Sequence, residues 1–303
     1  MSDKSLADPT HSPVRGVEFR AFDALTDEEL LKRFAQRHEE AVFATLMRRH
    51  GPMVLSVCRR VLRNSHDAED AFQATFLVMI EKGHRLRKPE LLANWLYGVA
   101  YRTALHARQR AARRRERERE AVAMSSNSPS DLEIELRELR RVLDEELLRL
   151  PEKYRAPLVL CYLEGKTNEE AARLLGWPSG SMSYRLTRGR ELLRERLQTR
   201  MGGATIFLQA IMQAEYFQPA VVSPALSLTT MQAAVAYVGV KISAAVTGLV
   251  SASVRELTEA TLLSLAQGSW KLLLTIFLVW AWLLGLGAAT CAWIAFFSQG
   301  SCG

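Results

Sequence analysis

Cysteine is scarce and scattered in this 303-residue chain. Cys58, Cys161, Cys291 and Cys302 form neither a Cys-x-x-Cys pair nor a cluster with histidine. That spacing excludes a structural zinc site, which needs thiolates or imidazoles in close pairs. Cys58 and Cys161 sit in apolar helical patterns and fit a reducing compartment. The chain also lacks an apolar core near its start, where residues 1–16 carry charges and prolines, so no secretory signal is expected there. It has no glycine-rich phosphate loop, no nucleophile beside a base and no metal-ligand cluster. Enzyme chemistry, a metal and a cofactor are therefore not expected, and a binding role is.

Charge is the second scarcity, and it is local. From Met201 onward only Lys241, Arg255 and Lys271 are basic and only Glu215, Glu256 and Glu259 are acidic, so the net charge of +7 lies entirely in residues 1–200. A basic first part favours a polyanionic partner. The composition, 48% hydrophobic and 24% charged, excludes a wholly disordered chain, and the length suggests two domains with additions.

Period-two alternation is missing as well, so the expected fold class is all-α. Residues 1–24 read as a polar tail. Thr26-Asp27-Glu28-Glu29 is a capping box before Leu30, Leu31 and Phe34. Glu39 to Leu62 repeats apolar residues at helical spacing, and Gly51-Pro52 should bend or divide it. His66 to Ile80 places Ala68, Ala71, Phe72, Thr75, Phe76 and Met79 on one side. Pro89 to Arg110 buries Leu92, Trp95, Leu96 and Val99. Residues 25–110 form a first helical domain. The run from Arg108 to Glu120, with seven arginines and three glutamates, has no apolar face and is a solvated helix extension or a flexible linker, assigned to 111–135. A second domain covers 136–199 and an apolar helical extension 200–270.

The second domain carries the sharpest local pattern. Thr167-Asn168-Glu169-Glu170 caps a short helix that Gly176-Trp177-Pro178 stops. The next helix puts Met182, Leu186, Gly189 and Leu193 in one narrow sector. Ser181, Tyr184, Thr187 and Arg188 lie opposite, flanked by Arg185 and Arg190. A helix-turn-helix would offer this polar sector to a DNA major groove; a plain helical hairpin with a solvated basic face fits the same residues.

The surroundings favour DNA. The segment from Leu150 to Leu197, with its Leu150-Pro151-x-x-x-Arg155 entry and its Arg185-Leu186-Thr187-Arg188-Gly189-Arg190 helix, resembles region 4 of the extracytoplasmic-function sigma factors of bacterial RNA polymerase. The segment from Asp67 to Arg110, opening Asp-Ala-Glu-Asp-Ala-Phe-Gln and continuing through Trp95-Leu96-Tyr97, resembles region 2 of that family. The likeness covers about residues 25–198, with both regions in the family's order. It implies core RNA polymerase and promoter DNA as partners, and an anti-sigma factor or an intramolecular inhibitory extension as a further one. It implies polymerase docking by Asp67, Glu69, Asp70 and Gln73. Helix capping explains the same carboxylates, although Asp70 and Gln73 lie deeper than a cap requires.

The resemblance further implies that the loop from Gly83 to Asn94 captures a base flipped from the −10 element, through His84, Arg85, Arg87, Lys88 and Asn94. Tyr101, Arg102, His106 and Arg110 would contact phosphates, and Trp95 belongs to the core. For the −35 element it implies Ser181, Ser183, Tyr184, Arg185, Thr187, Arg188 and Arg190. Arg188 is the candidate for guanine; Arg185 and Arg190 are candidates for phosphate. Where the family often has Lys or Arg followed by Ser, this chain has Ser183-Tyr184, so the promoter sequence of better-known relatives does not carry over to it.

Leu272 to Phe297 gives 26 residues without a charge, longer at 1.5 Å per residue than the ~30 Å hydrocarbon core. With Lys271 at its border, it is expected to span the inner membrane once, residues 1–271 inside and 298–303 outside. The sequence thus reads as a membrane-tethered sigma factor regulated through its extension. The alternative is a membrane-anchored one-component regulator that uses the helix-turn-helix alone.

Overall fold

A computed structural model describes residues 22–62, 64–121, 131–201, 220–242 and 250–266. The chain falls into two compact units, residues 1–258 and 259–303. Among the described residues all regular structure is helical, in agreement with the expected class.

The first helix, α1 (Asp27–Arg37), begins as its capping box requires: Glu29 N–H donates to Thr26 Oγ1 at 3.3 Å, and Thr26 N–H donates back to Glu29 Oε2 at 2.7 Å. The second, α2 (Glu40–Val61), runs unbroken through Pro52. Of the two expected outcomes, a bend or a division, the division does not occur. A helix-interior proline costs about 3 kcal/mol. Burial of Met53, Val54, Leu55, Val57 and Cys58 directly after it, at about 1.5–3 kcal/mol per large apolar side chain, outweighs that cost.

The next two helices are α3 (Ser65–Lys82) and α4 (Leu92–Ala121), joined by short 3₁₀ turns at Gly83–Arg85 and Pro89–Leu91. α2, α3 and α4 pack on one another around Phe43, Phe72 and Phe76. The rings of Phe43 and Phe76 meet edge to face at 5.9 Å. The arginine-rich run continues α4 as a helix through Ala121, with residues 112–117 exposed; the Ser/Asn/Pro stretch that follows lies outside the described residues.

The second domain comprises α5 (Asp131–Arg149), α6 (Glu152–Leu158) with a π turn at Val159–Leu163, α7 (Asn168–Leu175) and α8 (Ser179–Met201). Gly189 of α8 permits close approach to α6: a Cβ there would lie 3.0 Å from the Tyr154 carbonyl oxygen. Beyond it, α9 (Pro224–Ile242) packs on α3 and α2. A further helix, α10, starts at residue 252.

The membrane assignment is corrected. Among the described residues no helix is long and apolar enough to cross a membrane. The expected span, Leu272 to Phe297, lies outside the described residues, and the placement at an inner membrane is withdrawn. In the described part of the extension, apolar character serves packing inside the protein: Leu226, Ala233 and Ala234 are buried.

Candidate nucleic-acid interface

The helix-turn-helix is built by local signals. Thr167 Oγ1 accepts from Glu170 N–H, and Glu170 Oε2 accepts from Thr167 N–H at 2.8 Å. Gly176 closes α7 in the left-handed region at φ 63°, where a glycine has no Cβ penalty. Met182, Leu186, Gly189 and Leu193 all face inward on α8. Ser183, Tyr184, Thr187 and Arg190 are exposed; Ser181, Arg185 and Arg188 are partly so.

The cations of this face are already oriented. Arg185 stacks over the Trp177 ring at 4.0 Å, which steers its guanidinium toward the turn. Arg188 pairs with Glu191 at 2.9 Å and Glu195 at 3.7 Å. Arg190 donates to Thr187 Oγ1 at 3.1 Å and Tyr162 Oη at 3.3 Å. All three pairings are surface contacts that phosphate or base acceptors can replace.

The first domain presents a different picture. A cleft of about 850 Å³ is lined by Arg85, Arg87, Lys88, Asn94, Trp95 and Arg102 of the first domain and by Leu148, Glu152 and Arg155 of the second. His84, Arg85, Arg87 and Lys88 are exposed. Asn94 is buried and accepts from Arg155 Nε at 2.8 Å, while Lys88 pairs with Glu152 at 2.7 Å. Tyr101 is also buried; burial, then Glu145 and Asp144, push its phenol pKa up, and its Oη has no hydrogen-bond partner. Burial and neighbouring Arg155 lower the pKa of Arg102. The structure thus brings the loop cations together and places Asn94 and Tyr101 beneath the second domain.

Two buried polar junctions join the domains. Neither was anticipated. Asp144 of α5, 1% exposed, accepts from Tyr97 Oη at 2.7 Å and from Arg60 at 3.3 Å. His50 of α2 contacts Asp27 Oδ2 through Nε2 at 3.0 Å and Glu164 Oε1 through Nδ1 at 2.6 Å. Burial alone would lower the His50 pKa, but the two carboxylates outweigh it and raise it to about 10. Asp27 is held down at about 2, because His50 and Arg49 outweigh its own burial. A charged imidazolium donating from both nitrogens satisfies this geometry. The available signal was a histidine inside an apolar helical run, but its Glu164 partner is 114 positions away.

On α3, Asp67, Glu69, Asp70 and Gln73 are all partly buried. The N-cap is Asn64, which accepts from His66 N–H, so the acidic residues are not needed as the capping side chain. Gln73 Nε2 donates to Thr229 Oγ1 of α9 at 3.1 Å. No group of three metal-ligating side chains occurs among the described residues.

A helical bundle coupled to a helix-turn-helix with an outward polar face defines a class: a helical protein built to hold DNA. Comparison with known proteins sharpens this. The family description "Sigma-70 region 2" matches residues 46–114, and "Sigma-70, region 4" matches residues 140–193. RNA polymerase sigma factor CarQ of Myxococcus xanthus is 34% identical over 167 residues, covering 55% of this chain and 95% of that protein. ECF RNA polymerase sigma factor SigW of Bacillus subtilis is 27% identical over 177 residues, covering 54% and 92%. ECF RNA polymerase sigma factor SigE of Mycolicibacterium smegmatis is 27% identical over 199 residues, covering 65% and 72%. The chain belongs to the sigma-70-type family of RNA polymerase sigma factors, with extracytoplasmic-function members among its relatives.

Proposed function

We propose that this protein binds core RNA polymerase and directs promoter-specific initiation, with regulation exerted through its C-terminal extension and no catalytic chemistry of its own. Residues 25–110 serve as region 2, 111–135 as the connection, 136–199 as region 4 and 200–270 as the regulatory part. Asp67, Glu69, Asp70 and Gln73 dock on polymerase. His84, Arg85, Arg87, Lys88, Asn94, Tyr101 and Arg102 serve the −10 element; Ser181, Ser183, Tyr184, Arg185, Thr187, Arg188 and Arg190 of α8 serve the −35 element. The observation that carries this reading is the pairing of the two family regions, in order, with an α8 face whose apolar sector is buried and whose polar sector is open.

A regulator that used only the helix-turn-helix would have no use for the loop cations gathered around the 850 Å³ cleft. The test is run-off transcription with the full chain and core polymerase in excess. Initiation at a defined start supports the proposal. A chain that binds promoter DNA yet never initiates with core enzyme refutes it.

A further inference from the structure

The described part of the extension has a defined seat. α9 lies along α3: Gln73 Nε2 donates to Thr229 Oγ1 at 3.1 Å, and Tyr237 Oη donates to Glu81 Oε2 at 3.5 Å. Both partners advance by the same number of residues in the same direction, so the helices run parallel over about two turns. Leu77 lies one turn from each contact on α3 and is fully buried. At about 100° per residue it points away from the face that carries Phe72, Thr75, Phe76 and Met79 toward the core. The position at its level on α9 is Ala233, also buried, and Leu226, Thr230 and Ala234 complete the inward stripe. Leu228 and Val235, on the outward side, are exposed.

Both flanks of the seat are fixed as well. Ala220 N–H donates to Ser56 Oγ at 2.7 Å, and Val222 lies over Gly51, 3.4 Å from where a Cβ would stand. On the opposite flank Arg110 donates to Ser253 Oγ at 3.1 Å and pairs with Glu256 at 3.1 Å. Asp67 and Asp70 line the same small recess as Arg110, Ser253 and Leu257.

We propose that residues 220–242 and 250–258 are a built-in competitor for the polymerase-docking face of α3, and that this segment leaves α3 before core polymerase binds. The inference rests on the docking role given above to Asp67, Asp70 and Gln73. Gln73 cannot serve Thr229 and a polymerase surface at once, and α9 covers the side of α3 on which Gln73 stands. The seat is also suited to exchange. Its inward stripe is mostly alanine and threonine, which bury little apolar area per residue, so release costs far less than opening the phenylalanine core. A chain that must first vacate its docking face shows an apparent affinity reduced by the fraction that is vacant.

The experiment measures core polymerase binding by the full chain and by two full-length variants. Ala233→Arg puts a long cation into the seat; Leu228→Arg puts the same side chain on the outward face of α9. Ala233→Arg should bind core polymerase at least tenfold more tightly than the parent, and Leu228→Arg should match the parent. Hydrogen exchange of the unmodified chain keeps the test decisive if Ala233→Arg misfolds: α9 amides should lose protection when core polymerase is added. Parent-like affinity of a folded Ala233→Arg chain, or α9 amides that stay protected in the polymerase complex, would overturn the competition while leaving the sigma-factor reading intact. Failure of all three chains to bind core polymerase would overturn both.

Discussion

The two surfaces assigned to promoter DNA stand in opposite states. On α8 the polar sector faces outward, with Tyr184 66% exposed and Ser183, Thr187 and Arg190 open beside it. On the first domain, Asn94 is capped by Arg155 and Lys88 is held by Glu152, both residues of the second domain. On the proposed assignment, the α8 face is open to DNA while the second domain covers part of the surface given to the −10 element. If that assignment holds, engaging both promoter elements requires the domains to part, and the buried junctions at His50 and Asp144 are the contacts that oppose it.

The largest effect should come from His50. His50→Ala leaves Asp27 and Glu164 as buried carboxylates facing the space the imidazolium filled. Breaking a buried ionic contact by removing one partner costs about 3–5 kcal/mol. Denaturant unfolding of the full chain should register a loss of that order; a loss below about 1 kcal/mol would break the claim that this junction holds the domains together.

The same junction predicts a pH dependence. A histidine raised from 6.5 to about 10 contributes stability that is complete below pH 6.5 and is lost as pH rises through about 10. Asp27, lowered from 3.8 to about 2, contributes stability that is present above pH 3.8 and is lost as pH falls through about 2. Domain closure should therefore be firmest between about pH 4 and 6.5 and should weaken toward pH 10. NMR titration of the His50 ring checks this directly: a ring that deprotonates near pH 6.5 contradicts it.

A smaller effect distinguishes the α8 cations. Arg188→Ala should cost about 1–3 kcal/mol in promoter binding and relax one position, whereas Arg190→Ala should weaken all sequences alike and reduce the salt dependence. Binding measured across a set of single-base promoter variants separates the two outcomes. A uniform loss for both would remove Arg188 from base reading. Smallest of all, Thr167→Ala removes one half of the α7 capping box and should lower stability by about 1 kcal/mol without changing sequence preference.

What the sequence made legible was local. The capping boxes at Thr26 and Thr167, the Gly176 stop and the inward row of Met182, Leu186, Gly189 and Leu193 depend on contacts within a few residues, and each is found where the pattern places it. A division at Pro52 was allowed for because a local penalty was weighed without the tertiary burial that follows it. Of the Asp27–His50–Glu164 bridge only a histidine within an apolar run was legible, because no local pattern links it to a residue 114 positions away. α3 did carry a missed signal: Leu77 and Val78 extend its apolar surface beyond one stripe, the mark of a helix covered on more than one side. The extension over 200–270 was legible only as apolar and helical; in its described part the buried stripe of α9 is turned toward α3.

The central claim is that the free chain is closed and must open to work. Spin labels on Gln36 of α1 and Gln198 of α8, both exposed, report the distance between the two domains in the full-length protein. The free chain should show one short, narrow distance population, replaced by a longer one when core RNA polymerase is added. A broad, already extended distribution in the free chain, or an unchanged short distance in the polymerase complex, would contradict it.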